Sequence, residues 1–133
     1  MCIRDSGAAD ADYRAAMDFL LETEPVPLVA CGYSFGSLAA VRAAQAAPQI
    51  RRLVLVAPPT SMLDGDALCA FSGEIFLAAG IEDEWVDGGQ LADVARQCTA
   101  AHLELISDCD HFFMNGLETL GRALAGWWGP AQA

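Results

Sequence analysis

Short apolar runs, each closed by Gly or Pro and separated by helical stretches, constrain this chain more than any other feature. Three of them are Leu28–Cys31 before Gly32, Leu53–Ala57 before Pro58-Pro59, and Glu74–Ala78 shortly before Gly80. Each is too short for a helix and lacks apolar-polar alternation, so each reads as a strand buried on both faces of a parallel sheet. Leu103–Ile106 adds a fourth. Between the strands, Tyr13, Met17, Leu20 and Leu21 stripe a helix over Asp10–Glu22, stopped by Glu24-Pro25 and Pro27. Ser37–Ala47 is a second helix, ended by Pro48. Leu91, Val94, Ala95 and Cys98 mark a third between Gly88 and Thr99, and Leu117, Leu120, Leu124, Trp127 and Trp128 a closing one that ends at Gly129-Pro130. The stretch from Pro59 to Glu74 reads as a loop, too short for an inserted lid domain. Strands alternating with helices predict an α/β fold of about four mostly parallel strands, right-handed crossovers and helices on the sheet faces.

A chain of 133 residues allows one domain, and 54% hydrophobic against 19% charged residues excludes a disordered tail. Against 18 Asp and Glu stand 7 basic residues, all Arg, for a net charge of -11. That surface repels phosphate backbones and anionic headgroups, so neither nucleic acid nor a membrane is expected as partner. No apolar run approaches the roughly 18 residues of a membrane span. The five cysteines, Cys2, Cys31, Cys69, Cys98 and Cys109, are odd in number, scattered and without a C-x-x-C pair. They predict neither a disulfide framework nor a zinc knuckle, and a reducing, cytoplasmic setting fits them best. Cys31 and Cys109 read as packing residues. Nothing in the sequence reports oligomeric state. Residues 1–6, Met-Cys-Ile-Arg-Asp-Ser, clash with the Ala-rich, Lys-free remainder and lack an apolar signal core. They are expected to be non-native, with native sequence starting near Gly7.

Gly32-Tyr33-Ser34-Phe35-Gly36 is a G-x-S-x-G placed where a buried strand must turn abruptly into a helix. In such an elbow the serine sits on strained backbone at the strand's C-terminal end, and glycines two residues to either side avoid collisions across the turn. The helix that follows aims its N-terminal N–H groups at the site, where they favour developing negative charge. A plain Gly-Ser turn cradling an anion is the alternative. A serine nucleophile needs a base, and the base a carboxylate that holds its tautomer. His111 follows the fourth strand and Asp83 the third, and strand C-termini of an open α/β sheet face one crevice. Glu82, Asp83, Glu84 and Asp87 cluster there, so Glu82 competes with Asp83, and a solvated acidic loop is a third reading. His111 could instead anchor the last helix. His102, opening a strand, reads as a surface residue. Asp108, Asp110 and His111 match no standard metal-ligand spacing, and no metal is expected.

These residues resemble the α/β-hydrolase family, in particular its small predicted hydrolases related to dienelactone hydrolase. The resemblance rests on Gly32–Gly36, Arg52–Pro59, Gly80–Val86 and Asp110–Phe113. It runs from Asp10 to Trp128 but corresponds to the C-terminal half of that fold, so residues 7–133 are expected to be the C-terminal portion of a single, partial α/β-hydrolase domain. It implies Ser34 as nucleophile, Asp83 as acid and His111 as base, in the chain order of that fold. Ile81 departs from the family, which often carries an acidic residue two positions before the acid. One oxyanion donor would be the backbone N–H of Phe35. The other belongs to a loop after an earlier strand that has no counterpart here. Tyr33, Met62, Trp85 and Phe112, with Leu63 and Phe113, are candidates to line a shallow apolar pocket, and core packing is the equal alternative for the pair Phe112-Phe113. The implied function is hydrolysis of an ester, thioester or related acyl bond in a small-molecule substrate, with no cofactor, and with this fragment inactive by itself. The alternative is a non-catalytic binding member of the fold.

Overall fold

A computed structural model describes residues 6–23 and 27–129. The stop signals at Glu24-Pro25, Pro130 after the last helix, Cys2 and the rest of residues 1–5 lie outside the described residues. The elements run α1 (Ser6–Thr23), β1 (Leu28–Tyr33), α2 (Gly36–Ala46), β2 (Ile50–Val56), α3 (Gly65–Ala70), β3 (Glu74–Gly80), α4 (Gly88–Gln97), β4 (Ala101–Ile106) and α5 (Leu117–Trp128). The four strands form one sheet in the order β1-β2-β3-β4, parallel at every step. The expected α/β architecture is therefore present, with two differences of detail. Strands extend beyond the apolar runs because ladder hydrogen bonds, not side chains, set their ends. Between Pro59 and Glu74 stands a short helix, α3, in place of a loop. Asp64 caps it, its carboxylate accepting from Ala67 N–H at 3.1 Å.

Burial explains the sequence pattern. The interior of β3 is buried on both faces from Ile75 to Gly80, hence its uninterrupted apolar run, whereas the edge strands β1 and β4 mix buried and exposed positions. The main core packs Leu53, Leu55, Ile75, Leu77 and Ala79 against Met17 of α1, Ala40 and Val41 of α2, Leu68 of α3 and Leu91 of α4. On the opposite face Val54, Phe76 and Ala78 meet Leu120, Leu124 and Trp127 of α5. Met17 carries the burial of α1, while Leu20 is 48% exposed and stands outside the packing stripe expected of it. Arg52 fastens α5: its guanidinium lies 5.2 Å and 5.4 Å from the Trp127 and Trp128 rings and donates to the Trp128 carbonyl at 3.2 Å.

The cysteines overturn one expectation. Cys69 of α3 and Cys98, the C-cap residue of α4, form a disulfide. An odd count says nothing about any one pair, and the fold sets these two side by side. The premise for a reducing compartment is thereby removed. Cys109 is fully buried, as a packing residue should be, but Cys31 is exposed on the edge strand. Among the described residues no helix is long and apolar enough to cross a membrane.

Candidate active site

β1 delivers Ser34 to the C-terminal edge of the sheet. Ser34 N–H continues the ladder to Val56 O at 2.8 Å, and the chain then reverses through φ 56° at Ser34, the left-handed region that a residue with a Cβ rarely occupies. Such strain persists only where surrounding structure fixes it. Here Ser37 fixes it, its N–H bonding Ser34 O at 3.0 Å and its hydroxyl Gly32 O at 3.1 Å. A Cβ on Gly32 would sit 2.5 Å from Gly36 O and from Ser37 Cα, so Gly32 is obligatory. Gly36 is different: a Cβ there meets nothing within 4 Å among the described residues, which corrects the expectation of a collision on both sides. Phe35 N–H, first after the serine, has no acceptor among the described residues.

The loop after β3 presents Asp83 with its side chain fully buried. Asp83 N–H closes a turn on Gly80 O at 3.2 Å, and Oδ1 accepts Trp85 N–H at 2.8 Å. Oδ2 lies 2.7 Å from His111 Nδ1. A carboxylate only accepts, so Nδ1 carries the ring proton and Nε2 is left as acceptor. Nε2 is 2.8 Å from Ser34 Oγ. Ser34, His111 and Asp83 thus form one continuous hydrogen-bonded chain. Glu82 and Glu84 are exposed, and Asp87 caps α4 by accepting from Gln90 N–H at 3.0 Å, so the acidic cluster divides into one inward carboxylate and several solvated or capping ones.

The His111 loop is held from several sides. Asp110 Oδ1 accepts the N–H groups of Phe112 at 3.0 Å and Met114 at 3.3 Å, and Cys109 O accepts Glu82 N–H at 2.9 Å. Of the six residues expected to line the pocket, three gather around the imidazole. Ring centroids of Tyr33, Phe112 and Trp85 lie 5.5, 5.5 and 6.5 Å from that of His111, and Phe35 meets Trp85 edge-on at 6.1 Å. Met62 is partly exposed on a neighbouring loop, which Thr60 N–H ties to Trp85 O at 3.2 Å. The pair Phe112-Phe113 separates: Phe112 is exposed, while Phe113, at φ 56°, turns into the core, as does Leu63 in part. His102 lies on the sheet surface with Glu104 at 2.8 Å and stacks on Phe76. Burial, and then the carboxylates of Asp110 and Asp83, raise the Cys109 thiol pKa, and burial alone raises that of Cys31. Neither thiol is activated.

Three contacts that support the site had no sequence signal, although Tyr33 and Trp85 were themselves expected at the pocket. Trp85 N–H satisfies the second oxygen of Asp83, Thr60 accepts Asp87 N–H at 2.9 Å through Oγ1, and the Tyr33 hydroxyl donates to His111 O at 2.6 Å. Each of these bonds has a backbone group at one end, which residue types do not report.

No protein-family model matches the chain, and no curated protein matches it. Solved structures do. An α/β serine hydrolase homologue from Coxiella burnetii superposes with a TM-score of 0.80 at 21% identity, over 90% of this chain and 58% of its own. An α/β serine hydrolase without a lid from Xanthomonas campestris gives 0.76 at 28% identity, over 93% and 58%. The esterase domain of a Rhodothermus marinus protein gives 0.77 at 17% identity, over 89% and 66%. The chain spans less than two thirds of the length of each. With its four-stranded parallel sheet and flanking helices it has the α/β-hydrolase fold, and it covers part of that fold.

Proposed function

We propose that this chain carries the reacting residues of a serine hydrolase that cleaves an ester, thioester or related acyl bond. The observation that carries the reading is the hydrogen-bonded chain from Ser34 Oγ through His111 to buried Asp83, with Ser34 on strained backbone before a helix N-terminus. His111 Nε2 takes the hydroxyl proton as Ser34 Oγ bonds to the acyl carbon, and then passes it to the leaving group. Asp83 holds Nδ1–H and offsets the charge of the imidazolium, its own place fixed by Trp85 N–H. Negative charge on the acyl oxygen is met by Phe35 N–H and the N-terminal dipole of α2. Water then releases the acyl group from Ser34. The aromatic rim of Tyr33, Trp85 and Phe112 suits an apolar acyl or alcohol portion in a small-molecule substrate.

We further propose that residues 7–133 are the C-terminal portion of the domain and that the chain alone is essentially inactive. This reading assigns one oxyanion donor, and loss of a second costs about 10²- to 10³-fold in rate. The deciding experiment is labelling of the full-length gene product with a fluorophosphonate, with Ser34→Ala as blank. Covalent uptake at Ser34 is expected, because only an activated serine reacts, and its absence favours a binding protein instead. A cytoplasmic location further requires Cys69 and Cys98 to be reduced in the cell; rapid alkylation and mass spectrometry read this directly, and an oxidised pair refutes it.

A further inference from the structure

Tyr33 closes β1 immediately before the proposed nucleophile. Its hydroxyl donates to the backbone carbonyl of His111 at 2.6 Å, and its ring lies 5.5 Å from the imidazole at an interplanar angle of 33°. The His111 loop has a durable connection to the acid loop through Glu82 N–H and Cys109 O. Toward the nucleophile strand it makes two hydrogen bonds among the described residues, that of Tyr33 and that between His111 Nε2 and Ser34 Oγ. The second is consumed by the reaction. Once Ser34 Oγ carries an acyl group it has no proton to donate, and Nε2 must turn to water.

We propose that Tyr33 is a positioning residue for the second half of the reaction, holding His111 in place over acyl-Ser34 when the serine hydroxyl no longer does so. The inference rests on the hydrolase reading above. In that half, water oxygen bonds to the acyl carbon while His111 Nε2 takes one water proton. Collapse breaks the bond from the acyl carbon to Oγ, Oγ recovers the proton from His111, and a carboxylic acid leaves. Both halves need the imidazole in one place, but the first half has Ser34 itself to hold it there. Desolvation, followed by the nearby carboxylates of Asp83 and Asp110, raises the Tyr33 pKa above its ordinary value. The hydroxyl therefore stays a proton donor through the neutral and mildly alkaline range. Tyr33 is 48% exposed, so Tyr33→Phe removes one oxygen from a half-open surface and keeps the ring contact.

The test follows acylation and deacylation separately. The full-length gene product is mixed with a p-nitrophenyl ester, and the acyl mass on the intact protein is tracked by mass spectrometry. Tyr33→Phe is expected to gain the acyl mass within about twofold of the wild-type rate and to lose it about five- to tenfold more slowly, the scale of one neutral hydrogen bond. In steady state kcat/KM, which reports acylation alone, should hold while kcat falls. Unchanged decay overturns the inference, and so does acylation slowed as much as deacylation, which signals a general structural role. A wild-type protein that neither gains acyl mass at Ser34 nor releases p-nitrophenol overturns the hydrolase reading itself, a result distinct from either.

Discussion

Replacing Asp83 by Asn changes one atom, and its cost follows from the two partners of the carboxylate. Oδ1 accepts Trp85 N–H at 2.8 Å and Oδ2 faces His111 Nδ1 at 2.7 Å, with the side chain wholly buried. An amide has one acceptor for these two places. If its NH₂ faces Trp85, two donors oppose each other out of reach of water, at a cost of about 1–3 kcal/mol. If it faces His111, Nδ1 must become the acceptor, Nε2 carries the ring proton, and Ser34 can no longer give up its own. The backbone at Trp85 is fixed and the imidazole tautomer is not, so the second arrangement prevails. The bias alone removes about 10- to 100-fold of the competent form. Loss of the negative charge beside a buried imidazolium accounts for the remainder of a fall in kcat of about 10⁴. Glu82→Gln is the control. Its side chain is exposed and its one bond to the His111 loop is made by the main chain, so the change should stay within about twofold, as for an ordinary surface substitution. The assay is hydrolysis of an activated ester by the full-length gene product, with melting temperatures to show that both variants fold. A crippled Glu82→Gln, or an Asp83→Asn enzyme near wild-type rate, would refute the assignment of the acid.

Other expectations are read from stability and reactivity. Gly32→Ala should destabilise by about 3 kcal/mol or prevent folding, because its Cβ meets backbone at 2.5 Å, whereas Gly36→Ala should be neutral or gain up to about 1 kcal/mol; thermal melts of both variants decide. Cys69 and Cys98 are separated by 29 residues, so Cys69→Ala with Cys98→Ala should cost about 3–4 kcal/mol in urea unfolding, and an unchanged midpoint refutes the chain-entropy argument. With a thiol reagent at pH 8, exposed Cys31 should react, more slowly than a free cysteine because its raised pKa leaves less thiolate, and buried Cys109 should not react until unfolding; prompt labelling of Cys109 in the folded protein refutes this. The 133-residue chain alone should self-associate through the open edge of β1, and a monodisperse monomer in sedimentation counts against this.

The sheet was legible because parallel strands buried on two faces leave an unmistakable apolar run, and β2 and β3 are such strands. The edge strands were located but clipped, since Tyr33 and His102 are half exposed and break the pattern at their ends. Helix α3 escaped notice because six residues carry less than two turns of periodicity. At the site, the tight strand-to-helix turn at Ser34 was readable from glycine spacing, and the positions of Asp83 and His111 from the strands that precede them. The choice between Asp83 and Glu82 was not, because neighbouring carboxylates differ only in which way the loop turns them. That turn is set by hydrogen bonds that join main-chain atoms of Gly80, Trp85 and Cys109 to Asp83 and Glu82, groups that residue types do not report. The disulfide was hidden for a similar reason: only the packing of α3 against α4 brings its halves together.

Cys109 joins the acid and base loops at a single point. Its carbonyl receives Glu82 N–H, its backbone presses so closely on Gly80 that a side chain there has no room, and a Cβ on Gly116 would come within 2.5 Å of its sulfur. Any change that moves one loop must therefore move the other, and the separation of Asp83 from His111 is inherited as a unit. For directed evolution this divides the rim into two kinds of position. Libraries that vary positions 80, 109 and 116 would mostly sample broken pairs. Variation at Met62 and Phe112, which are exposed outside this knot, leaves the spacing of Asp83 and His111 in register.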